Sequence, residues 1–269
     1  MSFKLGVIGG GVMAEAIISR LLEKKIYQSD QIQVSEPQSS RRDYWQGSYG
    51  VATTDSNREL CEGCEVLLLA IKPQIFSAVA SDLQGMESGD YPNLVISILA
   101  GTCLTKLESV FGDAGIIRVM PNTPALVGQG MSAIAPNGKV SKEGLTVALS
   151  IFNAIGEVME VPEYLMDGVT GLSGSGPAFV AMMIEALSDG GVAVGLPRAV
   201  ASQLALQTVL GTAELIKTKQ LHPAILKDQV TSPGGTTIAG VSQLEKHGFR
   251  HSIIEAVKAA KVRSEELNG

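Results

Sequence analysis

The sequence predicts two domains of different class, an α/β domain over residues 1–162 and an all-α domain over residues 163–269. Up to about residue 160, short apolar runs alternate with amphipathic segments, the pattern of strands joined by helical crossovers. After Pro162 the strand-like runs stop, and the remaining apolar stretches repeat at helical spacing. A glycine triplet between the first apolar run and the first helical one says which kind of α/β domain this is.

The first strand reads KLGVIG, Lys4 to Gly9, and a helix follows over Met13 to Glu23. Between them, Gly9-Gly10-Gly11-Val12-Met13-Ala14 fits G-x-G-x-x-A. Gly9 permits the tight turn, Gly11 lets the backbone approach a pyrophosphate, and Ala14 keeps the helix close to the sheet. The helix N-terminus then offers N–H groups and partial positive charge to phosphates. Strand, glycines and helix together make this a Rossmann-type dinucleotide-binding domain.

The second strand, QIQV (Gln31 to Val34), runs into Ser35-Glu36. A carboxylate there accepts the ribose hydroxyls of NAD and repels the 2′-phosphate of NADP. Five residues on, Ser39-Ser40-Arg41-Arg42 offers hydroxyls and cations suited to that phosphate, so NADH and NADPH both stay open. Further strands follow at EVLLLAI (65–71), LVISILA (94–100), IIRVM (116–120), MSAIAP (131–136) and EVMEV (157–161), with a helix over Ser141 to Ala154. The C-x-x-C pair Cys61 and Cys64 lacks a second ligand pair, so it reads as two small residues at the end of a short helix, and no metal is expected.

In the second domain, helices are expected over Pro177–Val194, Pro197–Lys217 and His251–Leu267, and another is expected after Thr237, running to His247. Two begin with proline, which suits a first helical turn. The near-continuous apolar character of Phe179 to Leu187 calls for cover by a second copy of the chain. A net charge of −6 without a basic block argues against nucleic acid, and no uninterrupted apolar run reaches the ~18 residues of a membrane span. Three cysteines do not form a disulfide framework, and MSFKLGVIGGG passes straight into a strand without a signal-peptide pattern. A soluble, cytoplasmic protein is expected.

Six stretches then combine: GVIGGGVMAEAI at the start, AIKP (70–73), MPNTP (120–124), GLSGSGPA (171–178), DGGVAVGLPR (189–198), and VTSPGGTT (230–237) followed by GFR (248–250). In this order and spacing, the chain resembles the pyrroline-5-carboxylate reductase family over essentially its whole length. The resemblance implies reduction of the cyclic imine 1-pyrroline-5-carboxylate to L-proline with NADPH or NADH. It also implies a C-terminal dimerisation domain and assembly as a homodimer, often extended to a homodecamer. By motif, Gly9, Gly10, Gly11, Val12 and Met13 are implied at the pyrophosphate, Glu36 and Asn57 on the ribose side, Ile71 and Lys72 in the cofactor cleft, and Ala100 near the nicotinamide. Glu163, Thr236 and Thr237 are implied to face the substrate, and Ser232, Gly234 and Gly235 beside them offer the donors that its carboxylate needs. Glu36 departs from the small hydroxyl residue common in the family, which bears on cofactor preference.

The residue types suit this chemistry. Reducing an imine needs a hydride on carbon and a proton on nitrogen, and a pyrroline nitrogen is basic enough to need no strong dedicated acid. The helix after GSGPA, Phe179 to Ala186, accordingly carries no Lys or His where a hydroxyacid dehydrogenase of the same build places its acid/base. Thr237 is positioned to hydrogen-bond the ring nitrogen, and the N–H groups of Gly234 to Thr237 with the Ser232 hydroxyl suit the substrate carboxylate. Thr236 and Thr237 also suit a plain helix N-cap. The alternatives are that dehydrogenase and a nonenzymatic NAD(P)-binding regulatory protein.

Overall fold

The computed structural model describes residues 3–86 and 90–268, apart from the Asn268 side chain. Two compact units emerge, Met1–Gly174 with Ala259–Gly269, and Ser175–Lys258.

The first unit is built on an eight-stranded sheet in the order β3-β2-β1-β4-β5-β6-β7-β8. The strands are β1 (Phe3–Ile8), β2 (Ile32–Ser35), β3 (Ala52–Thr54), β4 (Cys64–Leu69), β5 (Leu94–Ser97), β6 (Gly115–Met120), β7 (Gly130–Pro136) and β8 (Gly156–Glu160). The sheet is parallel except where β7 runs antiparallel to β6, with Val119 opposite Ile134. The order reverses at β1, flanked by β2 and β4, which places a crevice at the carboxyl ends of those strands.

Helices cover both faces, and the strands read as unbroken apolar runs for that reason. Along β4, Val66 and Leu68 join a core with Leu5, Val7, Ile17 and Phe152, while Leu67 and Leu69 join Ile8, Leu60, Leu107 and Phe111 on the opposite face. The first core is closed by α1 (Val12–Glu23) and α6 (Lys142–Asn153), and Trp45 of α2 (Ser39–Tyr49) is fully buried in it. The second is closed by α3 (Asn57–Glu62), α4 (Phe76–Asp82) and α5 (Leu104–Phe111). Cys61 lies in α3, but Cys64 opens β4 and is not part of the helix end that the sequence suggests. Burial pushes both thiols up to about 12.

Arg118 of β6 is 5% exposed and faces two carboxylates, Glu163 at 3.5 Å and Asp167 of α7 (Met166–Val169) at 3.8 Å. A buried guanidinium is tolerable only with such partners. The Ser264 hydroxyl donates to Asp167 at 2.7 Å, so the end of the last helix is pinned to the same group. A π-helical turn, Thr170–Gly174, follows α7 within GLSGSG. The Asn122 side chain of MPNTP donates to the Ser173 carbonyl at 3.1 Å and accepts the Met131 N–H at 2.9 Å.

The second unit contains α8 (Gly176–Ala193), α9 (Arg198–Lys219), α10 (Pro223–Gln229), α11 (Thr236–Lys246) and the start of α12 (Phe249–Asn268). A Cβ on Gly191 would stand 2.8 Å from that of Ala201, so this glycine lets α8 and α9 pack closely. Elsewhere these helices leave large apolar side chains uncovered, with Met182 68%, Leu204 54% and Leu210 60% exposed. Helix α9, with a mean hydropathy of 1.2, is long and apolar enough to span a membrane by length and composition alone. That finding qualifies the sequence reading, which counted only uninterrupted runs. Gln203, Gln207, Thr212 and Glu214 punctuate the helix, a pattern that equally suits an apolar face covered by protein.

Candidate functional site

Chain geometry makes the first cleft. β1 ends at Ile8, Gly9 takes φ +97°, and α1 begins at Val12 with Gly11 as its extended N-cap. A side chain at Gly9 would meet the Ala70 carbonyl at 2.8 Å besides being strained. No side chain caps α1, so its first-turn N–H groups stay open to an acceptor, and nothing lies within 4 Å of where a Gly11 Cβ would stand. This open, uncapped terminus fits a pyrophosphate.

The cleft holds about 650 Å³ and is lined by Gly9, Gly10, Gly11, Glu36, Asn57 and Lys72 among others, with Ile71 on its wall. Val12 is 67% exposed beside it. Met13 is half-buried in the first turn, and Ala100 lies half-buried just beyond β5; neither belongs to the lining.

Glu36 follows β2 directly. One carboxylate oxygen accepts the Gly10 N–H at 3.0 Å and the other accepts the Gln38 N–H at 3.1 Å. The Gly10 N–H is therefore taken, which leaves Gly11 and the uncapped α1 terminus to face an acceptor in the cleft. Asn57 is fixed at both ends, accepting the Ser35 hydroxyl at 2.7 Å and donating to Asp82 at 2.9 Å.

Sequence reasoning missed the residues that hold the glycine loop. Trp45 Nε1 donates to the Gly10 carbonyl at 3.2 Å, and Arg41 Nε donates to the same oxygen at 2.6 Å. Arg41 also pairs with Glu15. Arg42 donates to the Glu36 carbonyl at 2.7 Å and the Pro37 carbonyl at 2.8 Å, and stands 3.7 Å from Asp55. Only the chain's single tryptophan, fully buried in an otherwise polar helix, hinted at such a role.

The second constellation, VTSPGGTT, joins α10 to α11. Gly234 takes φ +64° in an exposed turn, and the Gly235 N–H donates to the Ser232 carbonyl at 3.1 Å. Gly235 is the N-cap of α11, with no side-chain cap bond, so Thr236 and Thr237 are its first two helical residues. Their hydroxyls are not spent on capping. The N–H groups of Thr236 and Thr237 lack intrahelical acceptors, as at any helix start. Ser232 and Thr236 are exposed and Thr237 is half-buried.

Glu163 lies in the first unit, where its Oε1 accepts the Leu104 N–H at 2.5 Å as well as facing Arg118. It caps the start of α5. Among the described residues, no group of three or more His, Cys, Asp or Glu side chains could hold a metal ion.

Comparison with known proteins agrees with both halves of this description. Residues 163–267 match the family model for pyrroline-5-carboxylate reductase dimerisation, and residues 4–101 match that for NADP oxidoreductase, coenzyme F420-dependent. The chain is 60% identical over 267 residues to a pyrroline-5-carboxylate reductase of Synechocystis, covering 99% of each chain. It is similar to a Coxiella burnetii pyrroline-5-carboxylate reductase structure at 33% identity, with a TM-score of 0.89 and 100% of each chain covered. A Plasmodium falciparum pyrroline carboxylate reductase structure with NADP bound matches at 33% identity and a TM-score of 0.88, covering 99% of this chain and 98% of that one.

Proposed function

The chain belongs to the pyrroline-5-carboxylate reductase family, the enzymes that reduce 1-pyrroline-5-carboxylate to L-proline, and we propose from that premise which of its residues carry the reaction. It is a nicotinamide-dependent oxidoreductase whose second domain self-associates. The bound cofactor supplies the hydride. The single observation that carries the assignment of its site is the uncapped, glycine-lined N-terminus of α1 facing a cleft with Glu36 at its rim.

In this reading Gly9 and Gly10 shape the loop, while Gly11, Val12 and Met13 bring backbone N–H groups to the pyrophosphate. Glu36 and Asn57 take the adenosine ribose, Ile71 and Lys72 wall the cleft, and Ala100 stands toward the nicotinamide. Glu36 disfavours a 2′-phosphate by charge, and both nearby arginines are already paired, so NADH is the proposed cofactor of choice, with NADPH a poorer one. The substrate carboxylate is held by the N–H groups of Thr236 and Thr237 at the start of α11, with the Ser232 hydroxyl and the Gly234–Gly235 turn around it. Thr237 is the proposed catalytic residue: its hydroxyl bonds the ring nitrogen and fixes which face of the imine carbon meets the hydride. Carbon gains the hydride, nitrogen keeps or gains a proton, and the C=N bond becomes single. Glu163, though implied at the substrate, works here as an anchor for α5 through Leu104 and Arg118.

The proposed functional division follows the change in chain character, with residues 1–162 binding cofactor and 163–269 binding substrate and the partner copy. Assembly as a homodimer, extended to a decamer, and residence in the cytoplasm complete the proposal, the latter supported by three free cysteines. The test is steady-state oxidation of NADH and NADPH with pyrroline-5-carboxylate, and with 2-keto and 3-keto acids as controls. Turnover with the imine alone is expected, with the higher kcat/KM for NADH. Turnover with a keto acid and none with the imine would overturn the assignment.

A further inference from the structure

Glu15 lies on α1, four residues past Gly11, and gathers three donors from α2. The Arg41 guanidinium pairs with one of its oxygens, and the Tyr44 and Tyr49 hydroxyls donate to the other at 2.7 Å and 3.0 Å. The remaining contacts of Arg41 pull the same way. Its Nε donates to the Gly10 carbonyl, and its guanidinium carbon lies 4.5 Å from the centre of the Tyr44 ring and 5.5 Å from that of Trp45. Yet Arg41 lines the cofactor cleft, beside Glu36, Gln38 and Asp55. It is thus a cation at the edge of the ribose region with Nε bound to the glycine loop and one terminal nitrogen bound to α1.

A 2′-phosphate brings about two negative charges and calls for a guanidinium fork, whereas a 2′-hydroxyl needs only an acceptor. To turn both terminal nitrogens of Arg41 onto that phosphate, NADPH must break the pair with Glu15, and swinging the side chain away also releases the Gly10 carbonyl, which loosens the loop that binds the pyrophosphate. NADH requires neither. Arg42 is no substitute, since two backbone carbonyls and Asp55 hold it. We propose that Glu15, a residue outside the cleft lining, sets cofactor choice by holding Arg41 on α1 and so withholding it from the 2′-phosphate of NADPH. Glu15 stays ionised to do this: burial opposes its charge, but the bonds from Arg41, Tyr44 and Tyr49 outweigh it and hold the carboxyl below its ordinary range. The inference rests on the reading of the cleft as a nicotinamide dinucleotide site with Glu36 at the ribose.

The experiment uses the full chain and four proteins: wild type, Glu15→Gln, Arg41→Met, and the double variant. Each is assayed with NADH and NADPH varied at saturating pyrroline-5-carboxylate, and with the imine varied at saturating cofactor. Glu15→Gln keeps the shape and the tyrosine bonds but releases Arg41. It is expected to raise the NADPH/NADH ratio of kcat/KM by about tenfold, through a lower KM for NADPH, with the imine KM unchanged. In the double variant the ratio should return to that of Arg41→Met. An unchanged or lowered ratio in Glu15→Gln overturns the proposal, as does a gain that survives loss of Arg41. Arg41→Met alone gives an independent check if Glu15→Gln fails to fold. It should weaken both cofactors by a similar factor, and a selective loss of NADPH would mean that Arg41 already serves the phosphate with Glu15 in place. Failure of wild type to oxidise either cofactor would instead strike the dinucleotide reading itself.

Discussion

Gly10→Ala separates the demands of the glycine motif from those of this particular fold. In G-x-G-x-x-A the middle position is unrestricted, and the backbone at Gly10 does not take positive φ, so motif and backbone alike would accept alanine. The surroundings would not. A Cβ there would lie 2.5 Å from Trp45 Nε1, 3.2 Å from Trp45 Cδ1 and 3.3 Å from a Glu36 carboxylate oxygen. Trp45 is fully buried and has no room to retreat, so the clash must shift the loop or the indole. Overpacking of this kind costs about 1–3 kcal/mol, and loss of the Trp45 bond to the Gly10 carbonyl adds about 1 kcal/mol. The sum, about 2–4 kcal/mol, corresponds to a fall in Tm of roughly 4–16 °C for a unit of this size. Part of the same strain should weaken NADH binding by about tenfold or more, because the displaced peptide precedes the phosphate-binding N–H groups. Thermal unfolding reads the first effect, and the heat of NADH binding in a calorimetric titration reads the second. Trp45→Phe in the Gly10→Ala background should restore part of both, since it removes the clashing nitrogen. Wild-type Tm and NADH affinity in Gly10→Ala would refute the clamp described here.

Three further outcomes follow from the same geometry. Glu36→Ser should raise the NADPH/NADH ratio of kcat/KM by about tenfold by removing the charge at the ribose, and should also loosen the Gly10 N–H; an unchanged ratio would remove Glu36 from the 2′ position. Thr237→Ala should lower kcat/KM for the imine by about 3- to 30-fold with the KM for NADH unchanged, and Thr237→Ser should retain most activity; equal activity of the alanine variant would displace Thr237 from the reacting nitrogen. Burial raises the Cys61 and Cys64 thiols from 9.0 to about 12, so their contribution to stability is full below pH 9 and is lost as pH rises from 9 toward 12. Urea unfolding across that window should show a falling free energy, with a smaller fall in Cys61→Ala; an equal fall would exclude this thiol as a source.

Both fold classes were legible in the sequence, because the signals that define them are local. Strand periodicity, crossover spacing and the glycine triplet each lie within a few consecutive residues, and β1, β2 and β4 stand where those signals predict. What escaped is instructive. Strand β3, Ala52–Thr54, is three half-buried residues with no apolar run of its own, so only its pairing with β2 makes it a strand. The antiparallel turn from β6 to β7 was readable in principle, since the nine residues between Met120 and Gly130 are too few for a parallel crossover helix. The π-helical turn over Thr170–Gly174 was not, because no local residue pattern marks it, and the Asn122 amide that bonds its Ser173 carbonyl comes from another element.

The same distinction between local and long-range signals governs the site. Gly9 and Gly11 announce themselves, since their need for φ freedom or close approach follows from the turn they make. Gly10 looks like the dispensable member of the triplet, yet its peptide is the most constrained, held at the N–H by Glu36 and at the carbonyl by Arg41 and Trp45. Those three residues follow the loop by 26, 31 and 35 positions; Glu36 meets it because β2 pairs with β1, and Arg41 and Trp45 because α2 folds back against it. A motif records which backbone shape a phosphate requires. It does not record what stops that backbone from taking another shape, and in this chain the task falls to Trp45 and to two side chains, Glu36 and Arg41, that also line the cleft. Changes in cofactor preference and changes in loop stability should therefore travel together at Glu36 and Arg41. Glu15, whose side chain bonds Arg41, Tyr44 and Tyr49 and does not line the cleft, is the position at which the two can be pulled apart.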